Sequence, residues 1–240
     1  MKVVHWVIGM IFSFSLIAAL LFTSCEIAIY SDFDVYEREY EKYDVLSELD
    51  MTMDDAMYVT HEMMDYLRGD RETLSVVTDV DGKRQDFFNQ QDRFHMSEVR
   101  ELFLGGMAIR VGACVSMVVC IILLLLMKAD VRRILPSSYL IALAAVGLSL
   151  AVAGVMALVD FNAVFVMFHH LFFDNDLWIF DPAEDYMIRM LPEGLFADMA
   201  ARIGVIFAAG LVISLILSIA ARRSSKRDRR RALREPEDAH

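Results

Sequence analysis

The sequence predicts a membrane all-α fold: four transmembrane helices, both termini cytoplasmic, with a small α+β extracytoplasmic cap between helices one and two. Three observations predict it. Four stretches are apolar enough and long enough to cross a bilayer. Lys and Arg concentrate in two short segments that fall on the same side. The third is a conflict in composition. The 240 residues include 34 Asp+Glu against 23 Lys+Arg, for a net charge of −11, yet 57% are hydrophobic. The mean hydropathy is +0.43. An acidic soluble domain is rarely this apolar, and a disordered acidic chain never is, so acid and apolar content must occupy different segments. Net acidity also argues against a nucleic-acid partner, because phosphate contacts need a basic surface. Cys25, Cys114 and Cys120 offer neither a disulfide framework nor zinc-ligand spacing.

The elements follow in chain order. Residues 1–24 form transmembrane helix 1 and 25–101 the extracytoplasmic cap. Residues 102–127 form helix 2, 128–134 a cytoplasmic loop and 135–159 helix 3. Residues 160–198 form an aromatic extracytoplasmic segment, 199–221 helix 4 and 222–240 a basic cytoplasmic tail. Each helix supplies about 20 apolar residues, which at about 1.5 Å per residue spans a hydrocarbon core of about 30 Å. Only helices and closed barrels satisfy their backbone in lipid. Lys128, Arg132 and Arg133 mark the loop as cytoplasmic, and eight basic residues from Arg222 to Arg234 mark the tail. The charge then divides by side. The cap has 21 acidic and 8 basic residues, net −13, and the second outer segment has net −7 with Arg189 its one basic residue. At the N-terminus, LLFTSCEI has some features of a lipoprotein signal ending at Cys25. Its n-region holds only Lys2, and Phe22 stands where Leu is usual, so helix 1 is expected to be retained.

Within the cap, TMDDAMYVTHEMMDYLRG reads as a capped helix. Thr52 and Asp55 form its start, Gly69 its stop, and Ala56, Val59, Met63 and Tyr66 its apolar stripe. TLSVVTDV and KRQDFF flank Asp81-Gly82, a hairpin signal. VYEREYEKYDVLSEL reads as helical, with charged residues over an aromatic stripe of Tyr36, Tyr40 and Tyr43. Asp181-Pro182 predicts a break, and Pro192 the first turn of the last helix.

Three of the six His residues fall beside outer helix ends: His95 ahead of helix 2, and His169 and His170 after helix 3. Antiparallel helices bring them to one membrane face, where imidazoles can exchange protons near neutral pH. A single such His is more often an interfacial residue with a hydrogen-bond partner. A metal site would need His95, one of His169 and His170, and Asp174 and Asp176. Neighbouring His on a helix diverge by about 100°, so no metal and no cofactor are expected. Phe161, Phe165, Phe168 and Phe172 share a helical face with His169, and Phe173, Trp178 and Phe180 follow. The set reads either as an interfacial aromatic belt or as a water-excluding lipid pocket. Arg110, two turns into helix 2, is a candidate for a lipid carbonyl, a headgroup or a carboxylate such as Glu26. Arg202 lies near enough to a helix end to snorkel. Ala108, Gly112 and Ser116 form a small-residue stripe that suggests helix packing.

At FFNQQDRFHMSEVRELF and FHHLFFDNDLWIFDPAEDYMIRMLPEGLF the chain resembles the bacterial lipoprotein intramolecular transacylases (Lit). The resemblance extends to about Ala221. It implies a four-helix cell-membrane enzyme whose catalytic histidines match His95 and His169, with His170 at a variable position of the motif. Phe94, Arg110, Phe165, Phe172, Phe173 and Trp178 are then expected to line the substrate. The implied partners are a diacylglyceryl lipoprotein and membrane lipids. The implied reaction moves the sn-2 acyl chain to the α-amine of the lipoprotein's N-terminal Cys. The competing expectation is a non-enzymatic membrane protein whose acidic cap binds a partner or cations.

Overall fold

The computed structural model describes residues 2–234, with side chains as far as Arg227. The end of the predicted basic tail, residues 235–240, lies outside the described residues. The chain orders as α1 (Lys2–Tyr30), α2 (Asp34–Lys42), α3 (Val45–Leu49), α4 (Met53–Arg68), β1 (Val77–Val80) and β2 (Lys83–Asp86). It continues with α5 (Gln90–Leu126), α6 (Val131–Val159), α7 (Phe161–Phe172), α8 (Tyr186–Met190) and α9 (Glu193–Arg234). Four of these, α1, α5, α6 and α9, are long and apolar enough to cross a membrane. The chain divides into two compact units: Met1–Ser24, Ile109–Gly154 and Gly204–His240, and Cys25–Ala108 with Val155–Ile203.

The first unit is built from apolar helical segments that bury little of themselves. Its interior holds one cluster of Ile8, Cys120, Leu124 and Ile134 and another of Ile17, Tyr139, Ala142 and Phe207. Tyr139 buries its ring and donates its hydroxyl to the Leu211 carbonyl at 2.8 Å. Gly9 lets α1 and α6 approach closely, because a Cβ there would overlap Ser138 and Ile134. The opposite faces are bare: Leu148 is 75% exposed and Val205 70%. Faces this apolar are compatible with hydrocarbon and not with water. The small-residue stripe is only partly a seam. Ser15 donates to Ser116 at 3.0 Å, but a Cβ on Gly112 would meet nothing within 4 Å.

The second unit has a conventional core. Tyr36, Tyr40, Leu49, Met63, Val76, Phe87, Phe88 and Met190 are almost fully buried within it. α4 begins and ends as expected, with Asp55 N–H donating to Thr52 Oγ1 at 3.1 Å and Gly69 at its end. The hairpin is also as expected. Val80 pairs with Lys83 across the two residues Asp81 (φ 55°) and Gly82 (φ 68°), the left-handed pair a tight hairpin turn requires. Arg202 belongs to this unit and meets Asp32 at 3.8 Å.

Three expectations are corrected. The segment VYEREYEKYDVLSEL is helical but in two pieces, because Asp44 takes a left-handed conformation (φ 53°) and separates α2 from α3. Tyr36 and Tyr40 are buried, while Tyr43 turns aside to donate to Asp198 at 2.7 Å. Pro192 stands just ahead of α9 instead of in its first turn. The largest correction concerns α5, which starts at Gln90, well before its apolar run. Asn89 and Asp92 explain it. Asp92 N–H donates to Asn89 Oδ1 at 3.0 Å, and Asn89 N–H donates to Asp92 Oδ2 at 2.9 Å, a reciprocal cap that starts a helix regardless of hydropathy. His95 therefore sits inside α5 and not ahead of it.

Candidate active site

The site is assembled in the second unit from the first turns of α5, the helix α7 and the segment that follows it. α7 begins anew after α6 because Asp160 caps it, accepting from Ala163 N–H at 2.9 Å. The segment between α7 and α8 is tied down onto α5. Gln91 Nε2 donates to the Leu177 and Ile179 carbonyls, each at 3.1 Å. Asn175 Nδ2 donates to Glu98 Oε1 at 2.8 Å. Asn89 Nδ2 contacts buried Asp185, which accepts from Asp181 N–H at 3.0 Å and holds the turn at the Asp181-Pro182 break.

This fastening brings His95 and His169 together. Their rings stack at 5.8 Å between centroids and 25° between planes, and each residue is only 6% exposed. Phe173 packs on both, at 4.9 Å from His95 and 5.4 Å from His169. Phe180 meets the His95 ring edge-on at 5.5 Å. Phe165 and Trp178 cover His169 at 4.2 and 4.6 Å. An aromatic wall of this kind keeps water from the rings and offers a surface suited to an acyl chain.

The hydrogen bonds define the state of His169. Its Nδ1 lies 2.7 Å from the Phe165 carbonyl, which can only accept. Nδ1 therefore carries the proton, and the neutral ring presents Nε2 as a lone pair. Burial pushes the His169 imidazole below its ordinary value of 6.5. The bond to the Phe165 carbonyl opposes that shift, and His170 adds to it. At neutral pH His169 is thus an uncharged base. His95 Nδ1 is shut from solvent and has no hydrogen-bond partner among the described residues. Two imidazoles this close repel one another if both are charged, so the pair favours carrying at most one proton charge at a time.

Five of the predicted site residues, His95, His169, Phe165, Phe173 and Trp178, meet here. Phe94 and Phe172 do not line the pair: they are 48% and 49% exposed. Phe94 follows α5 round by about 100° from His95, which turns it to the outer side. Arg110 belongs to the first unit, about four turns further along α5. His170 is exposed and touches only the edge of Trp178 among the ring contacts, at 5.3 Å. Phe180, a member of the predicted aromatic set, also meets the pair. Spacing alone does not nominate Glu98, and the available signal is its position one turn after His95. Among the described residues no group of three or more His, Cys, Asp or Glu gathers as a metal site would require.

The family model for lipoprotein intramolecular transacylase Lit matches residues 10–196. No curated protein matches the chain. Among solved structures, the membrane-integral lipoprotein intramolecular transacylase Lit from Bacillus cereus is 21% identical, with a TM-score of 0.72, covering 94% of this chain and 99% of that one. A form of that Bacillus cereus protein with one histidine changed to arginine gives a TM-score of 0.70 at 21% identity, covering 95% of this chain and 96% of that one. A histidine-to-alanine form gives 0.70 at 21% identity, covering 94% and 96%. At this identity the structures speak for the fold, and the family match speaks for the class: the chain belongs to the lipoprotein intramolecular transacylase family and is a multi-pass membrane enzyme.

Proposed function

We propose that this enzyme moves the sn-2 acyl chain of a diacylglyceryl lipoprotein to the α-amine of its N-terminal Cys, using His95 and His169. The observation that carries the reading is the stacked, buried pair at 5.8 Å with Nδ1 of His169 committed to a carbonyl. The substrate supplies its own nucleophile, so no Ser or Cys is needed. Attack of the amine on the ester closes a ring through N, Cα, Cβ, S, two glyceryl carbons, the ester oxygen and the acyl carbon. A ring of that size closes slowly in solution, and a pocket that holds both ends supplies the missing orientation. The proton that His169 Nε2 takes from the attacking amine passes across the pair to His95, which faces the oxyanion while it holds that charge and delivers the proton to the departing glyceryl oxygen, so the pair gains one proton and gives one up. Phe165, Phe173 and Trp178 hold the acyl chain and exclude water, which would otherwise hydrolyse the ester. The cap and the site face the extracytoplasmic side of the cell membrane, in keeping with the outer acidity and the basic loop.

The reaction is an isomerisation, so the test reads fragments and not total mass. The protein is produced in a host that makes diacylglyceryl lipoproteins, and their N-terminal lipopeptides are examined by tandem mass spectrometry. The expected result is N-acyl, S-monoacyl peptides of unchanged total mass. Lipopeptides that keep both chains on glycerol, despite well-folded protein in the membrane, would count against the reading.

A further inference from the structure

α5 places two carboxylates three residues from His95, Asp92 before it and Glu98 after it; Asp92 is committed to the helix cap through Asn89 N–H, which leaves Glu98. It follows His95 by three residues, so the two side chains neighbour one another on the helix surface. Asn175 holds its Oε1 at 2.8 Å, and Asn175 itself lies between Phe173, which packs on both imidazoles, and Trp178, which covers His169. The second oxygen, Oε2, is shut from solvent and has no hydrogen-bond partner among the described residues. A carboxylate oxygen withdrawn from water without a donor is costly, and a site retains one when something else completes it. The basic groups nearest along α5 are engaged elsewhere. Arg93 pairs with Asp86 at 2.6 Å and donates to the Leu74 carbonyl at 2.8 Å. Arg100 lies over the Tyr66 ring at 4.8 Å.

We propose that Glu98 Oε2 receives the N-terminal ammonium of the substrate and so selects lipopeptides whose amine is still free. The proposal rests on the acyl-shift reading above. An α-amine has a pKa of about 8, so it arrives mostly as a cation at neutral pH. The carboxylate captures that cation one turn from His95, and the amine reacts once its proton passes to the imidazole pair. The product amide is neutral and has no charge to offer Glu98. The same contact therefore favours substrate over product and promotes release. Charge-assisted hydrogen bonds of this kind are the strong ones, so the preference should be large.

The experiment uses purified full-length protein and two unreactive probes. Both are lipopeptides whose glyceryl chains are ether-linked; one has a free N-terminal amine and the other is N-acetylated. The wild type is expected to bind the free-amine probe about tenfold or more tightly than the acetylated one. Glu98→Gln should bind both alike, and Glu98→Asp should restore part of the preference. In turnover, Glu98→Gln should raise KM more than it lowers kcat. Equal binding of the two probes by the wild type, or a preference that survives in Glu98→Gln, overturns the role of Glu98 and leaves the acyl-shift reading standing. Binding of neither probe by the wild type overturns both.

Discussion

At the residue scale, one contact decides the chemistry of His169: its Nδ1 proton is spent on the carbonyl of Phe165, four residues earlier in its own helix. The ring is then an acceptor at Nε2, and burial keeps it uncharged. That state has a stability consequence. The folded value of His169 lies below its ordinary value of 6.5, so in acid the unfolded chain binds a proton that the native site resists. Stability from this group is complete above the ordinary value and falls as pH drops toward the folded value. His169→Gln removes the titration. Thermal unfolding between about pH 7 and about pH 5 should therefore show a smaller acid-induced loss for His169→Gln than for the wild type. An equal or larger loss in the variant would contradict the buried neutral ring. The two histidines were legible in the sequence because the apolar segments bring both to one face. Phe94 and Phe172 stand away from the pair for a simple reason. Adjacency in sequence to a site residue turns a helical side chain about 100° away, and spacing of three residues brings it near without fixing its burial.

At the element scale, the position of His95 depends on where α5 begins. Hydropathy places the boundary at the first apolar run, but the reciprocal cap of Asn89 and Asp92 places it at Gln90. The signal was present in NQQD, and it was outweighed by the contrast between charged and apolar sequence. The same Asn89 reaches Asp185 and so anchors the segment that carries Phe173, Trp178 and Phe180. Asn89→Ala should lower stability by about 1–2 kcal/mol through loss of the cap, and should lower turnover by more than that loss explains. Thermal unfolding and turnover on the same preparation check both parts. Unchanged turnover with reduced stability would show that the segment keeps its place without this anchor. The hairpin and α4 were fully legible, since Asp81-Gly82 and Thr52 through Gly69 act locally. The break at Asp44 was not, because nothing in VYEREYEKYDVLSEL distinguishes a left-handed Asp from a helical one.

At the scale of the whole molecule, acidity and apolarity separate cleanly. The apolar helical segments of one unit bury little of their surface and suit hydrocarbon, while the other unit has a packed core and holds the histidine pair. The net −11 is therefore an average over segments of opposite character. The four spans and the family were legible from hydropathy and from the motifs around His95 and His169. The hydrogen bond from Asn175 to Glu98 and the packing of Phe180 on His95 were not, because those contacts depend on long-range packing. In the proposed reaction the acyl chain moves within one substrate molecule and both histidines are required. Two synthetic diacylglyceryl lipopeptides test it together, one with isotope in the sn-2 chain and the other with isotope in the peptide. They are mixed with purified protein and read by tandem mass spectrometry. The expected N-acyl products keep every chain with its original peptide, and none forms with His95→Ala or His169→Ala. Exchange of chains between peptides, or full activity in either folded variant, would contradict it.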